Sequence, residues 1–570
     1  MFGKSLCKKI RRTKNKLMQK LRSVKRFFIR NARRVGRWFI RCKRKLSRFL
    51  IRVKRTGGKN IKEQLSVWKR NLLYRLFSDR DFYESIKNQL QLIPESNGCR
   101  FYQPYPYKIA IIADEFLYDS FCGISDFIYI TPENYKEVRD RADFLLVVSA
   151  WRGLNNEWRQ MGTVGSPANL ILHETISYYK EGGKKVVFYS KEDPPNYQHF
   201  LPIAQRCDVI FTSAVEKVDC YRKDCGNEEV YSLKFGINPT YHNPIGIRKF
   251  PKRKEIIFSG SWVKKYPDRI RSLAAIFDGV ISSGKKLKII DRNYNLNSPG
   301  FFFPARYDRY ISPAISHDDL QKAHKLFDWA ININSVTNSH TMFANRVYEL
   351  QAAGNLMLSN ESLGVEEQFP EVMIVRSEED VKKILSCYNE DEVYLHQMAG
   401  VRCVMTGETT FDRVGELLGR LGYDTFQPSR KIVVIIRSES DSLKQQFSQQ
   451  TYPFRELCLW QDVSEQNWPS DAMVTIWDER YTYGKYYLED MINGFKYTNS
   501  DYICKDSWFI HGTLSEGTEH DYVNFIRNIF AAVFWNNCIS YSELFHALEK
   551  GELEKNNGYS IDHFNLVQEG

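Results

Sequence analysis

The chain has 570 residues, 43% of them hydrophobic and 14% aromatic. That is too long for one core and rich enough for about three or four domains. The formal charge of +14 is unevenly spread: residues 1–55 hold 23 of the 82 Lys and Arg and no acid, leaving 59 basic against 68 acidic side chains in the remainder. A body of that balance disfavours a nucleic-acid protein, and any polyanion partner belongs to the basic segment. No run approaches the ~20 apolar residues of a membrane-spanning helix, and the N-terminus has no apolar signal-peptide region. The 12 cysteines are scattered, and the closest pair, Cys220 and Cys225, has no second pair at metal spacing. Reduced thiols in a cytoplasmic protein are therefore expected.

In the basic leader, residues 1–60, Leu17, Leu21, Val24, Phe28, Val35, Phe39, Leu46 and Leu50 recur at steps of three, four or seven. That spacing gives an amphipathic helix with one apolar face and cationic flanks, broadened by Phe27, Trp38 and Phe49. Such a helix is suited to lie on an anionic leaflet, each basic residue adding about 1 kcal/mol. A basic tail without a particular partner, or loose contact with RNA, are the other readings of the same residues. The membrane reading places the protein in the cytoplasm, peripheral on the inner face of the membrane. Gly57–Gly58 ends the leader, and residues 61–104 read as a helical connector packed on the domain that follows.

From about residue 105 to 250 the pattern changes to short, β-branched or aromatic runs separated by polar helical stretches. Lys108–Ala113, Phe144–Ala150, Lys185–Ser190 and Asp208–Ser213 are strand candidates of the kind buried on both faces of a parallel sheet. The stretches between them complete βαβ units, the clearest starting at Ser166–Pro167, a helix cap followed by proline. Ligands of open α/β sheets bind at strand ends. Three are distinctive here: Asp114–Glu115, Ser149–Gly153 and Ser190–Pro194. Glu192 and Asp193 in the last can orient a hydroxyl or act as a base; capping the next helix is the plainer reading of either.

A second α/β domain follows, residues 251–428. Its first strand, Glu255–Ser259, meets Gly260–Ser261 and then Lys264, Lys265 and Arg269, a turn with cations suited to a diphosphate. Leu287–Asp291 with Arg292, Trp329–Asn334 and Glu371–Arg376 add strands. Between the last two lies a polar loop, Asn338 to Thr341, then a helix from Phe343 to Ala353, Gly354, and an apolar strand, Leu356–Ser359. Arg346 and Glu349 lie three apart and share a helix face, where an arginine can meet phosphate and a carboxylate can accept both ribose hydroxyls. A solvated intrahelical ion pair is the plainer reading, worth at most about 0.5 kcal/mol.

Three stretches, Tyr189–Tyr197 (YSKEDPPNY), Phe258–Arg269 (FSGSWVKKYPDR) and Phe343–Glu367 (FANRVYELQAAGNLMLSNESLGVEE), resemble the CgeB-type glycosyltransferases, a GT-B branch related to glycosyltransferase group 1. The resemblance spans roughly residues 105–425. It implies an α/β chain of GT-B type, two Rossmann-like domains facing a cleft, taking a nucleotide sugar without a metal or other cofactor. It further implies Glu349 on the nucleotide ribose and retention at the anomeric carbon. Gly260, Ser261, Lys265, Arg269, Thr341 and Arg346 then bind the donor, and Asp193 or Glu192 contacts the acceptor. Related enzymes carry another Glu eight residues before the ribose Glu; here that position is Thr341. The acceptor implied is a glycan or lipid-linked glycan of cell-surface polysaccharide synthesis.

Residues 429–570 open on a strand, Lys431–Arg437, and SLKQQFSQQTYPFRELCLW resembles the start of a family 2, GT-A-like glycosyltransferase. A GT-A site binds its divalent metal with carboxylates. The corresponding Asp478-Glu479-Arg480 puts an arginine beside them, so a degenerate, non-catalytic module is expected. The rival reading of the whole chain is a catalytically weak, membrane-tethered glycan-binding or scaffold protein.

Overall fold

The computed structural model describes residues 61–569 except 297 and 466–468; the leader and its expected amphipathic helix lie outside the described residues. Among the described residues two compact units are present, one holding residues 61–77 and the other the described residues from 78 onward apart from 298–299. In the first unit, Ile61–Phe77 is a helix. The second unit holds four sheets.

The first sheet contains β1 (Lys108–Ile112), β2 (Asp126–Tyr129), β3 (Phe144–Val148), β4 (Lys185–Ser190), β5 (Val209–Thr212) and β6 (Val230–Ser232) in the order β2-β1-β3-β4-β5-β6, all parallel. Strands β3 and β5 are buried along their whole length, because helices cover both faces. The helix Pro167–Glu181 lies on one face and is capped as its sequence predicts, Ser166 Oγ accepting from Asn169 N at 3.1 Å. The other face is covered from a distance in sequence: Phe411, Val414, Leu417 and Leu418 of the helix Thr410–Arg420 join the cluster around Ile109, Leu146 and Val187. This last helix of the second domain thus crosses back to the first.

The second sheet contains β7 (Glu255–Gly260), β8 (Lys286–Asp291), β9 (Ile311–Pro313), β10 (Trp329–Asn332), β11 (Leu356–Ser359) and β12 (Val372–Ile374), ordered β12-β11-β10-β7-β8-β9 and again all parallel. Both sheets are Rossmann-like, and each reverses its winding beside its first strand, between β1 and β3 and between β7 and β10. Two short strands, β2 and β9, carry no sequence signal. They are edge strands, half-exposed in β2 and ending in Pro313 in β9, so neither needs a continuous apolar run.

Within the connector, the helix Phe82–Leu92 is fastened to the second domain, whereas Tyr102 packs against the cluster of the first. That helix buries Phe82, Ile86 and Leu90 in one cluster with Leu326 and Phe327. Residues four apart on a helix form one stripe, each such side chain contributing roughly 2 kcal/mol on burial. Asp79 pairs with Lys288 on β8 at 2.6 Å, a second attachment to the same domain.

The C-terminal module has a seven-stranded mixed sheet in which Ile432–Ile436 runs parallel to both Arg455–Leu459 and Met473–Trp477, and Ala532–Trp535 runs antiparallel to the latter. It shares a continuous core with the second domain, one cluster holding Met398 and Val401 together with Leu488 and Met491. Arg402 binds Asp490 through two bonds, of 2.6 and 3.0 Å, across that seam. At the expected metal position, Arg480 Nε donates to Asp478 Oδ1 at 2.7 Å, holding that carboxyl below its ordinary range against the effect of partial burial.

Candidate functional site

The carboxyl ends of the two parallel sheets meet at a cleft of about 400 Å³. From the second domain it is lined by Ser259 and Gly260 at the end of β7, Arg292 after β8, His317, and Arg346 and Glu349; Glu115 and Phe116, directly after β1, face them from the first. Gly260 is required by crowding. A Cβ there would stand 2.7 Å from the Phe258 ring, which packs against Phe277 in the core beneath.

The helix bearing Arg346 and Glu349 spans Arg346–Ala352, shorter than its sequence predicts. Residues 342–344 stay outside it because side chains take their amides: Ser339 Oγ accepts from Met342 N at 2.9 Å and Asn334 Oδ1 from Ala344 N at 3.0 Å. Asn334 is itself held by Asn360, whose Oδ1 accepts from Asn334 N at 2.7 Å, and by Asn332. These buried amides at the ends of β10 and β11 fix where the helix starts. Gly354, with φ +72°, then turns the chain into β11.

Charge in the cleft is unbalanced. Arg346 is half-buried and its Nε has no hydrogen-bond partner. Arg269 donates Nη1 to the Ser261 carbonyl at 2.9 Å, and burial, followed by repulsion from Arg346 and Arg292, pushes its guanidinium down to about 10. Arg346 is lowered as well, by burial foremost, with Glu349 opposing and Arg292 adding to the shift. The three guanidiniums thus repel one another beside Glu349, which is 6% exposed and accepts from Asn345 Nδ2 at 2.7 Å. A bound anion would relieve that repulsion.

Two histidines lie beneath the cleft without supplying charge. His242 Nε2 is 4.0 Å from Glu349 Oε1, but burial pushes His242 down to about 4 and both ring nitrogens are unpartnered. His324 shares a 2.8 Å bond with Ser259 Oγ and is pushed down to about 3 by burial and then by Arg346.

Other predicted residues lie elsewhere. Ser261 is buried; its Oγ accepts from Asn293 Nδ2 at 3.0 Å, so it braces the turn instead of opening onto the cleft. Lys265 is exposed, its ammonium 5.5 Å from the Tyr266 ring and outside the cleft lining. Thr341 bridges the two domains: its Oγ1 donates to the Ser213 carbonyl at 2.8 Å and accepts from Val215 N at 2.9 Å, while Ser339 Oγ donates to Glu216 at 2.8 Å.

Neither acidic residue expected on the acceptor side reaches the cleft. Asp193 is 0% exposed; its oxygens accept from Thr212 Oγ1 at 2.6 Å and Tyr221 OH at 3.3 Å, and burial raises its pKa. Glu192 binds Lys191 Nζ at 2.8 Å and Asn196 Nδ2 at 3.1 Å, and Lys191 also pairs with Asp114. Glu115 is the first-domain carboxylate that lines the cleft. Its signal was its place after β1; Arg292 likewise follows β8 directly. Asn345 could have been found from its place four residues before Glu349, whereas His242 carried no comparable signal, since only folding brings the interdomain loop beside Glu349.

Residues 285–419 match a family model described as glycosyl transferase-like, a stretch that includes Arg292, Arg346 and Glu349. No curated protein matches the chain in sequence. Among solved structures it is similar to the N-terminal domain of Candida albicans trehalose-6-phosphate phosphatase, at 9% identity over 58% of this chain and 99% of that one, with a TM-score of 0.37. It is also similar to T4 phage BGT in complex with UDP and Mn2+, at 14% identity over 55% of this chain and 98% of that one, TM-score 0.33. Anabaena HepE in complex with UDP is similar at 9% identity over 55% of this chain and 99% of that one, TM-score 0.35. The second domain is thus glycosyl transferase-like in sequence, and two Rossmann-like domains facing a cleft make the GT-B arrangement.

Proposed function

We propose that the protein transfers a sugar from a nucleotide donor to a hydroxyl on a glycan or lipid-linked acceptor. The observation that carries this reading is the pair Arg292 and Arg346, lining a cleft between two Rossmann-like sheets beside the buried Glu349 and repelled by Arg269 behind them. Arg346 and Arg292 take the diphosphate, with Arg269 adding positive potential from behind the Gly260–Ser261 turn. Glu349, oriented by Asn345, accepts the ribose hydroxyls. Cations already in place stabilise a departing diphosphate at little reorganisation cost, so the transfer is proposed to need no metal. Glu115 and Phe116 supply the acceptor side, and retention at the anomeric carbon is the outcome that the CgeB-type resemblance implies. The C-terminal module is proposed to serve without catalysis, its Asp478 committed to Arg480.

Full-length protein screened with UDP-, GDP- and CDP-sugars should release one nucleotide, and Glu349→Ala should abolish that release while the melting temperature is kept. Nucleotide binding without turnover for any donor and acceptor would favour the scaffold reading, to which the use of Thr341 as a domain bridge also lends weight. The leader is proposed to hold the protein on the inner, anionic leaflet of the membrane. Flotation with phosphatidylserine vesicles should carry the full chain and leave a variant lacking residues 1–55 in the pellet fraction; equal flotation of both would remove that role.

A further inference from the structure

A second recess, of about 580 Å³, lies at the opposite end of the second sheet, where β7, β8 and β10 begin. A six-residue strand such as β7 spans ~17 Å, so this recess and the donor cleft are separate places. It forms around the interdomain link Arg248-Lys-Phe-Pro-Lys-Arg-Lys254, which puts five cations into seven positions, and Lys285 joins them from the turn before β8. Its six cations face only three lining carboxylates, Glu255, Asp328 and Glu390.

Several of those cations are spent locally. Lys249 pairs with Asp521 at 2.5 Å and Arg253 with Glu255 at 3.3 Å. Lys252 and Lys285 are different. Lys252 Nζ donates to the Lys325 carbonyl at 3.0 Å, a neutral partner, and Lys285 is exposed with no ion pair among the described residues. Burial pushes Lys252 down to about 8, with Asp328 opposing, and an anion bound there would favour its charged form further. Beside them stand Trp329, at the start of β10, and Tyr388, both half-buried, with ring centroids 6.5 Å apart and planes at 48°. The recess thus sets two half-buried rings beside cations that lack an acidic partner among the described residues.

We propose that this recess binds an acidic saccharide, its carboxylates or phosphates on Lys252 and Lys285 and its sugar rings against Trp329 and Tyr388. The assignment of a saccharide rests on the glycosyltransferase reading; the recess itself does not. The volume falls in the range of about 300–1,000 Å³ usual for small-ligand sites, room for a few sugar rings. A nucleic-acid strand would call for a series of parallel rings along a basic track, whereas two tilted rings offer faces to the apolar sides of a bent chain. Such a site would hold an acceptor or product chain away from its reacting end and so favour longer chains.

The test uses the full chain with 5-fluorotryptophan, the Trp329 fluorine resonance being assigned through Trp329→Phe. That resonance reports the recess alone, whatever the basic leader binds. Hexagalacturonate should shift it saturably and maltohexaose should not. Lys252→Gln should weaken the response at least tenfold, and Lys285→Gln, at an exposed position where folding is not at stake, at least threefold. No shift with hexagalacturonate, an equal shift with hexathymidylate, or insensitivity to Lys285→Gln would overturn the proposal. UDP titrated into the same sample reads the cleft separately. UDP binding without a hexagalacturonate response removes the recess site and leaves the transferase reading; the converse result removes the reading and keeps the site.

Discussion

At the end of β4 in the first domain, Asp193 is sealed from solvent with both oxygens hydrogen-bonded, and Glu192 shares Lys191 with Asp114. At the ends of β7 and β8 in the second domain, Arg269, Arg292 and Arg346 crowd together and the Nε of Arg346 has nothing to donate to. Both places are strand ends of parallel sheets, and both looked equally chemical in sequence. The difference lies in satisfaction. A buried charge whose partners are all present belongs to the fold, whereas like charges held together at a cost to stability point to a ligand.

The strongest way to break this contrast is to remove one charge from each side. Arg346→Met should weaken UDP binding by at least 100-fold, about 2.7 kcal/mol, yet leave the melting temperature unchanged or higher, because repulsion is relieved. Calorimetry with paired binding and unfolding runs reads both. A melting temperature that falls with the affinity would mean that Arg346 is structural. Asp193→Ala should do the reverse, costing about 2–3 kcal/mol by stranding the hydroxyls of Thr212 and Tyr221 while UDP affinity is kept. Asp193→Asn, which retains an acceptor oxygen without the buried charge, should fold and turn over nearly as wild type. A folded but inactive Asp193→Asn would return that carboxylate to the chemistry.

A smaller effect concerns the neutral histidines under the cleft. His242 and His324, pushed down to about 4 and about 3, stay unprotonated in the folded protein while their unfolded counterparts take up protons below the ordinary imidazole value. The unfolded state then binds more protons, so stability falls as pH drops from ~6.5 toward 4, by up to ~1.4 kcal/mol per pH unit for each histidine. Denaturant midpoints between pH 7 and 5 should show that slope, and His242→Gln should flatten it. A slope unchanged by the substitution would mean that His242 charges freely in the fold.

Periodicity was enough to locate most strands of the two sheets, since a parallel strand covered on both faces must read as a short unbroken apolar run. It missed Asp126–Tyr129 and Ile311–Pro313, whose edge positions relax that demand. In the site, the pairing of Arg346 with Glu349 on one short helix was legible because three-residue spacing fixes a shared face. The start of that helix was not. Asn334 and Asn360, which withhold it until Arg346, act through hydrogen bonds between residues ten or more positions apart.

The sequence by itself determined the parallel α/β domains, the basic leader and the residue types of an anion site, because those follow from local pattern and charge. Only the tertiary structure decided which of these residues are free to act. Thr341 became a bridge between domains, Asp193 an internal brace, and Glu115 the carboxylate facing the cleft. Each outcome depends on what packing brings within hydrogen-bond reach, and no spacing along one chain records that distance.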